Sequence, residues 1–349
     1  VSMLLVTVHR LICDEASLTI LARELGQVCA AFQAGQAPLL PPLAQHFGDF
    51  VVWQAEQSAG NSAETQIEYW SRVLKGVKHF EIQSDHPRRS LQTANVGTQS
   101  ILLDPELTAG LVRISQQCGC SLSEVALTGL FALLYRYSGE GDIAIGGQFS
   151  GRDDHDLDLG NLVGPFTNTL LLRHDLSDDP SFSVLLMRLH TIVQQAFEHR
   201  HLPMEKLVEI ANPSRDWNRN PLFSVNFHFQ ESSLSQEQFG NFSIAEVPCC
   251  SSGALYDLNF ILRPYLLGWR VSCEYNSDLF DDQTVIGLLK HFTQLLRSAP
   301  AHPENNQIMI SAKNADFQPG SSLDACKGAL RVAAEEGVKH AATVNGQQV

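Results

Sequence analysis

The residues best suited to chemistry are concentrated near the start of the chain. His9 and Arg10 are followed, after three residues, by Asp14 and Glu15, where a predicted first strand turns into a predicted first helix. Such turns are common places for active sites, because rigid elements hold the side chains at a sheet edge. Imidazole exchanges a proton near neutral pH. By itself the cluster also fits an ordinary helix start, since Asp14 and Glu15 complement the helix dipole.

The hydrophobic pattern predicts strands that alternate with helices. Apolar residues 1–8 indicate a buried strand, and the helix after them carries its apolar residues on one face. That face consists of Leu18, Leu21, Leu25, Val28 and Phe32. Further strands are predicted at 98–103, 142–148, 168–173 and 222–230, with a hairpin at 255–263 and 269–276 that turns about Leu267 and Gly268. The fold class is therefore α/β.

Helix boundaries can be predicted from capping residues. Ser121 followed by Glu124 forms a capping box, and that helix should end at Gly139. Ser181 should cap a long amphipathic helix, and Asp281 should begin the last strong one. Helical patterns also cover 47–74 and begin again at residue 105.

The polar, basic segment around residues 85–95 predicts a boundary. We expect residues 1–90 to form part of an N-terminal lobe and 91–298 to form a complete C-terminal lobe. Residues 299–349 are predicted to be a linker and tail, rich in Pro, Asn, Gly and Ser at their start.

Composition excludes several functions. With 24 Lys and Arg against 38 Asp and Glu, the net charge of −14 argues against binding nucleic acid through its phosphates. No apolar run reaches the roughly 18 residues that suggest a membrane span. The eight cysteines contain no C-x-x-C pair, which favours a reducing, cytoplasmic location. His199 and His201 lack a third ligand, so no metal site is predicted.

Short motifs stand in a fixed order along the chain after His9-Arg10-x-x-x-Asp14-Glu15. They are Tyr69-Trp70, Asp85-His86-Pro87-Arg88, Tyr135-Arg136-Tyr137-Ser138-Gly139, Gly151-Arg152, Gly164-Pro165-Phe166-Thr167-Asn168-Thr169, His201-Leu202-Pro203-Met204, Arg219-Asn220-Pro221-Leu222-Phe223, Tyr256-Asp257-Leu258 and Asp278-Leu279-Phe280. On these motifs, residues 1 to about 298 resemble the condensation domains of nonribosomal peptide synthetases, which have a chloramphenicol-acetyltransferase-like fold of two lobes. The signature of that family is His-His-x-x-x-Asp-Gly, so Arg10 and Glu15 are departures from it.

The resemblance implies a reaction that Arg10 cannot support as a base. In the family, two carrier proteins present thioesters to a tunnel between the lobes, and the second histidine of the motif handles the proton of the attacking amine. Guanidinium stays protonated and has no acceptor lone pair. Losing such a group typically lowers the rate by about 10²- to 10⁴-fold. Glu15 also replaces a glycine, and an Arg10–Glu15 ion pair would plug the tunnel.

Other roles follow from the resemblance alone. Asp14 should pair with an arginine that holds the motif loop, and Arg152 is the candidate. Phe166, Asn168 and Asp257 should line the substrate tunnel, although Asn168 also fits a backbone-satisfying role at a strand start. No cofactor is expected to bind directly, and the ligand would be the phosphopantetheine arm of a carrier protein.

The altered motif resembles that of the non-condensing branches of the family, called X domains and interface domains. These recruit a cytochrome P450 or an iron- and 2-oxoglutarate-dependent hydroxylase to an amino acid on a neighbouring carrier protein. A role in making a peptide natural product or siderophore would follow. Two alternatives stay open: condensation with His9 or Glu15 taking over the proton, and a decayed domain with only a structural role.

Family members carry about one further lobe of sequence before the motif strand. We therefore expect a partial N-terminal lobe with exposed apolar surface.

Overall fold

A six-stranded mixed sheet organises the computed structural model. The structure describes residues 4–59, 61–90, 95–152, 157–213, 218–230, 237–240, 242–244, 253–265 and 268–299. The helices are α1 (Glu15–Gln33), α2 (Phe47–Ala59), α3 (Asn61–Leu74), α4 (Pro105–Cys118), α5 (Leu122–Ser138), α6 (Phe182–Glu198), α7 (Met204–Ala211) and α8 (Asp282–Ser298). The strands are β1 (Val96–Leu103), β2 (Asp142–Phe149), β3 (Asn168–Asp175), β4 (Val225–Phe229), β5 (Glu237–Phe239), β6 (Phe242–Ile244), β7 (Leu258–Tyr265) and β8 (Gly268–Asn276).

The sheet has the strand order β1-β8-β7-β4-β2-β3. Strand β4 runs parallel to both of its neighbours, β7 and β2, while the outer pairs are antiparallel. Helix α5 lies at the centre of the helical layer and packs against α6 and α8. It is buried on all sides from Glu124 to Leu134, which explains why its sequence is apolar all round rather than on one stripe.

The two faces of the sheet differ in chemistry. Leu258, Phe260 and Leu262 of β7 belong to the hydrophobic core. Side chains alternate along a strand, so Asn259 lies on the opposite face. There Asn226 Nδ2 donates to Asn259 Oδ1 at 2.8 Å. We call this opposite side the polar face. It consists of residues 226, 228 and 230, residues 259, 261 and 263, and residues 270, 272 and 274.

The structure confirms the α/β class and most of the predicted elements. Ser121 and Glu124 form the predicted capping box, and Gly139 ends α5 with a φ of 69°. The β7–β8 hairpin is present, and its turn residues 266–267 lie outside the described residues, as does the tail from residue 300. Helix α7 and the β5–β6 hairpin were not predicted. The division into 1–90, 91–298 and 299–349 stays a prediction.

The predicted first strand is wrong. Residues 4–9 form no strand, and Leu4 and Leu5 are 69% and 77% exposed. A strand needs a neighbour for its backbone groups, and none of the described strands lies beside this segment.

Helix α1 was predicted correctly, but its apolar face is only partly covered. Leu18, Leu25 and Phe32 on this face are exposed. The exposed apolar surface expected from the sequence is therefore present on this part of the chain.

Within the described ranges no single helix is long and apolar enough to cross a membrane. Helices α4 and α5 reach that length and composition only as a pair, and the chain bends by 104° between them.

Candidate functional site

The loop that carries the motif is a tight turn that ends in a helix cap. Ile12 N donates to His9 O at 3.0 Å, and Leu11 N donates to His9 Nδ1 at 3.2 Å. Asp14 is the N-cap of α1, because its Oδ1 accepts from Ser17 N at 2.8 Å. His9 and Arg10 themselves are exposed. The first histidine of the motif thus shapes the turn.

Asp14 and Arg152 form a buried ion pair, the contact that the resemblance suggested. Arg152 Nη2 lies 2.8 Å from Asp14 Oδ1, and the side chains are only 8% and 7% exposed. Arg152 Nη1 donates to the carbonyl oxygens of Leu159 and Leu162 at 2.8 and 2.7 Å. The guanidinium also lies 4.2 Å from the centroid of the Phe166 ring. The motif loop is thereby linked to Arg152 and to the segment 159–166.

Glu15 faces an imidazole that the sequence analysis did not identify. Its Oε2 lies 3.4 Å from Nδ1 of His228, which is on the polar face of β4. The His228 side chain is 18% exposed and Glu15 is 40% exposed, so the carboxylate partly covers the ring. The only available signal was the alternation of residues 222–230, which assigns His228 to the face opposite Phe227.

The environment of His228 keeps its ring neutral at physiological pH. Burial lowers the pKa of His228 from the usual 6.5 to about 4, and the positive charge of Arg263 acts in the same direction. A neutral imidazole has one donor and one acceptor nitrogen. With Nδ1 beside a carboxylate, Nε2 is the nitrogen that could accept a proton. No described residue hydrogen-bonds to it.

The charge of Arg10 affects the hydroxyl group of Tyr256. Burial raises the pKa of the Tyr256 hydroxyl, while a hydrogen bond with Thr169 and the positive charge of Arg10 oppose that rise. The charge of Arg10 thus acts on the Tyr256 hydroxyl, while the Arg10 side chain itself is exposed. That Arg10 takes the place of the family's proton acceptor stays a prediction.

Two of the three predicted tunnel residues line a small cleft. Phe166 and Asn168 lie in its wall together with Trp53 and His201, and its volume is about 20 Å³. Asn168 Nδ2 donates to Arg200 O at 2.8 Å and to a second carbonyl, so its amide organises backbone there.

Asp257 is held elsewhere. Its Oδ1 accepts from Arg88 Nη1 at 3.0 Å, and the carboxylate is 7% exposed. Direct roles of Phe166, Asn168 and Asp257 toward a substrate stay predictions.

A group of potential metal ligands lies between α5 and α6. Atoms of Cys120, Glu124 and His190 are within 4.8 Å of one another. The Glu124 carboxylate is already engaged, since it accepts from Ser121 N at 2.6 Å and contacts His190 Nδ1 at 3.0 Å. Burial raises the pKa of Cys120 to about 11, which keeps its thiol protonated. The group is best explained as an extension of the capping box.

The sequence pair His199 and His201 packs against aromatic rings. His199 stacks on Tyr69 with 4.0 Å between ring centroids, and His201 meets the edge of Trp53 at 5.2 Å.

The fold and the motif loop together define a condensation-type domain. A family model described as the condensation domain matches residues 2–315, and the chain belongs to this family. It is 33% identical over 314 residues to a dimodular nonribosomal peptide synthase of Bacillus subtilis, an alignment that covers 86% of this chain and 13% of that protein. It is also 33% identical over 303 residues to surfactin synthase subunit 1 of Bacillus subtilis, covering 86% of this chain and 8% of that protein. The chain spans a small part of these relatives.

Solved structures show the same fold. The X-domain from teicoplanin biosynthesis is 26% identical with a TM-score of 0.74, covering 85% of this chain and 69% of that one. The X-domain in its complex with OxyB is 27% identical with a TM-score of 0.75, covering 87% of this chain and 69% of that one. The first condensation domain of the calcium-dependent antibiotic synthetase is 21% identical with a TM-score of 0.70, covering 85% of this chain and 64% of that one. More specifically, the protein is a condensation-type domain of the nonribosomal peptide synthetase kind.

The buried ion pair gives the first testable prediction. Replacing Asp14 with Asn leaves the charge of Arg152 buried without its carboxylate, and breaking such a pair costs about 3–5 kcal/mol. We expect Asp14→Asn to lower the free energy of unfolding in urea by about 3 kcal/mol or more. Asp178→Asn is the control, because Asp178 and Arg188 are 56% and 38% exposed; its loss should stay below about 1 kcal/mol. Similar losses in both variants would contradict the anchoring role of Asp14.

The neutral imidazole gives the second prediction. A pKa lowered from 6.5 to about 4 on folding means that the unfolded chain binds more protons between these values. The neutral His228 ring therefore costs the folded protein no stability above pH 6.5, and the protein loses stability as the pH falls from 6.5 toward 4. At 1.36 kcal/mol per pKa unit the loss is about 3 kcal/mol. Between pH 7 and 4, we expect the free energy of unfolding to fall by about 3 kcal/mol less in His228→Gln than in the unaltered protein.

Urea unfolding across this pH range measures the difference. His9→Gln, at an exposed histidine of the same site, should keep the original pH dependence. An unchanged pH dependence in His228→Gln would show that the ring is not buried as a neutral group.

Proposed function

We propose that this domain does not form peptide bonds and instead recruits a tailoring oxygenase to an amino acid held on a neighbouring carrier protein. The oxygenase would be a cytochrome P450 or an iron- and 2-oxoglutarate-dependent hydroxylase. The domain would act in the cytoplasm, bind no cofactor of its own, and meet the phosphopantetheine arm of the carrier protein as its ligand. Its product would be a peptide natural product.

The observation that carries this proposal is the charge at the motif. Arg10 occupies the place of the proton acceptor and has no lone pair to offer. Glu15 extends a carboxylate to within 3.4 Å of His228, where the family keeps a glycine without a side chain. The two substitutions would affect the same part of the site. Arg10 removes a proton acceptor, and Glu15 fills space that a glycine leaves open. The Asp14–Arg152 pair meanwhile keeps the loop architecture of the family.

The structural relatives support the partner class. The X-domain from teicoplanin biosynthesis has been solved in complex with OxyB, and its identity to this chain is higher than that of the condensation domain from the calcium-dependent antibiotic synthetase. In that complex, a domain of this fold binds another protein. A scaffold whose motif loop is intact and whose base is replaced fits such a role.

A loading assay tests the absence of condensation. The protein is given one acyl-loaded and one aminoacyl-loaded carrier protein, and mass spectrometry follows any condensed product. We expect none from the unaltered protein. Arg10→His combined with Glu15→Gly should raise product formation by about 100-fold or more, the typical contribution of a general base. Product from the unaltered protein at the rate of ordinary condensation domains would refute the proposal.

Recruitment needs its own measurement. The domain is titrated with purified P450 enzymes and iron hydroxylases from the same biosynthetic set, and binding is followed by calorimetry. We expect saturable 1:1 binding to one class, unaffected by Arg10→His. If no member of either class binds, the recruitment half of the proposal fails.

His228 favours a second candidate, a condensation activity with a displaced base. Glu15 beside Nδ1 would orient the ring so that Nε2 accepts the amine proton, which is the arrangement of carboxylate-assisted histidine bases. If this holds, the loading assay yields product from the unaltered protein. His228→Phe and Glu15→Gln should then each lower the rate at least tenfold, whereas His9→Gln should not.

A further inference from the structure

Much of the polar face is shielded from solvent, although the helical layer lies on the other side of the sheet. Asn226, Gln230 and Ser272 are 0%, 7% and 4% exposed. A sheet face that is open to solvent keeps its side chains exposed, so this burial requires a cover. Helix α1 is part of that cover, because Glu15 in its first turn lies 3.4 Å from His228. The approach to His228 from solvent therefore runs beside α1.

Helix α1 is held at two places along its length. At its start, Ser17 Oγ donates to Gly164 O at 3.0 Å, in addition to the cap that Asp14 provides. Beyond Ile20, Gly26 is the one residue of α1 that is buried. The main packing partners of α1 are β5 and β6. The second half of α1 therefore depends on the β5–β6 hairpin for its position.

The hairpin meets α1 through an aromatic ring that lies on a glycine. A Cβ at Gly26 would lie 2.6 Å from two atoms of the Phe239 ring, so only glycine leaves room for the ring. Phe239 is 9% exposed, and its ring centroid lies 6.1 Å from that of Phe242 across the turn. Four residues after Gly26, the Ala30 Cβ lies 3.6 Å from the position of a Cβ on Gly240. Residues four apart share a helix face, so both contacts hold the same side of α1.

The hairpin has little stability of its own. Each of its strands has three residues, and the two strands form a sheet separate from the six-stranded one. An isolated two-stranded hairpin is marginally stable in water. Elements with few buried contacts open at a lower free energy than the core does. The contact with α1 therefore stabilises the hairpin and is also the place where the cover opens most easily.

The chain path connects the hairpin to the site. The hairpin lies in the sequence between β4 and β7, which are parallel neighbours within the sheet. Strand β4 carries His228, and β7 carries Asn259 of the same polar face. The hairpin therefore joins the middle of the sheet to the second half of α1. When Phe239 leaves Gly26, α1 stays attached at Asp14 while its second half is free to move away from the sheet.

We propose that the β5–β6 hairpin is a strap that closes α1 over the polar face, with the contact between Phe239 and Gly26 as its fastening. In the closed arrangement of this structure, Glu15 narrows the approach to His228. Release of Phe239 widens that approach and admits a ligand. The inference goes beyond the proposed function, because it concerns access to the site and holds whether or not the domain forms peptide bonds.

A cross-link tests the strap directly. A Cβ separation of 3.6 Å suits a disulfide, so Ala30→Cys combined with Gly240→Cys allows the strap to be locked by oxidation. Diethyl pyrocarbonate modifies neutral imidazole rings, and peptide mass spectrometry measures the rate at His228. We expect oxidation to slow this modification about tenfold or more. The reduced form of the same variant is the control, because Gly240 has a φ of 57° and a cysteine there is strained in both forms.

The opposite change holds the strap open. Gly26→Leu fills the space under the Phe239 ring and should raise the rate of His228 modification about tenfold or more. Gly48→Leu is the matched control, because a Cβ at Gly48 of α2 meets nothing within 4 Å, and it should leave the rate unchanged. His9 is exposed and should react at one rate in every form.

Two results would overturn the proposal: equal rates at His228 in the oxidised and reduced cross-link variant, or a rate in Gly26→Leu that matches Gly48→Leu. Unfolding would also expose His79, whose Nε2 lies 2.8 Å from Ser224 Oγ. An unchanged rate at His79 shows that Gly26→Leu is folded, and if that rate rises the cross-link comparison decides alone. Neither an oxygenase nor a carrier protein is present, so these rates do not depend on the outcome of the tests of the proposed function.

Discussion

The buried pair of Asp14 and Arg152 is the interaction on which the site depends. The carboxylate of Asp14 starts α1 through Ser17 and holds Arg152, whose Nη1 donates to the carbonyl oxygens of Leu159 and Leu162. One interaction therefore links the start of α1 to the segment 159–166. Its burial makes it sensitive to the loss of either partner, because a lone buried charge is costly. The motif loop stays in place whatever the neighbouring residues do.

The seven-residue motif contains residues that hold the structure and residues that do not. The Asp14–Arg152 pair tells the two kinds apart. Asp14 has to stay an acid, because both its cap and its ion pair use the carboxylate. Arg10 and Glu15 lie outside this network, so the fold tolerates their replacement of histidine and glycine. Under the proposed function, their replacement would affect proton transfer and the space available to a substrate. A chain can thus lose the reaction of its family while keeping the surface and shape that other proteins bind.

Local signals in the sequence were sufficient for elements that depend on neighbours in the chain. The capping box of Ser121, the end of α5 at Gly139 and the hairpin of β7 and β8 all follow from patterns a few residues long. The predicted first strand failed because a strand also needs a partner strand, which an apolar run cannot reveal. His228 was missed for a similar reason. It is 213 residues from Glu15 in the chain, and only the parallel pairing that positions β4 brings them together.

The positions of Arg263 and Arg270 show how strand register brings together residues whose proximity the sequence does not reveal. Each arginine alone is an ordinary residue of a half-buried strand. The antiparallel register of β7 and β8 places them opposite one another, and the adjacent β4 brings His228 close enough to Arg263 for that charge to lower the pKa of its ring. His228 is therefore placed between the carboxylate of Glu15 and the charge of Arg263, and burial together with that charge keeps its ring neutral. Three elements that are far apart in the chain contribute to the protonation state of this one side chain, which no local pattern in the sequence could have predicted.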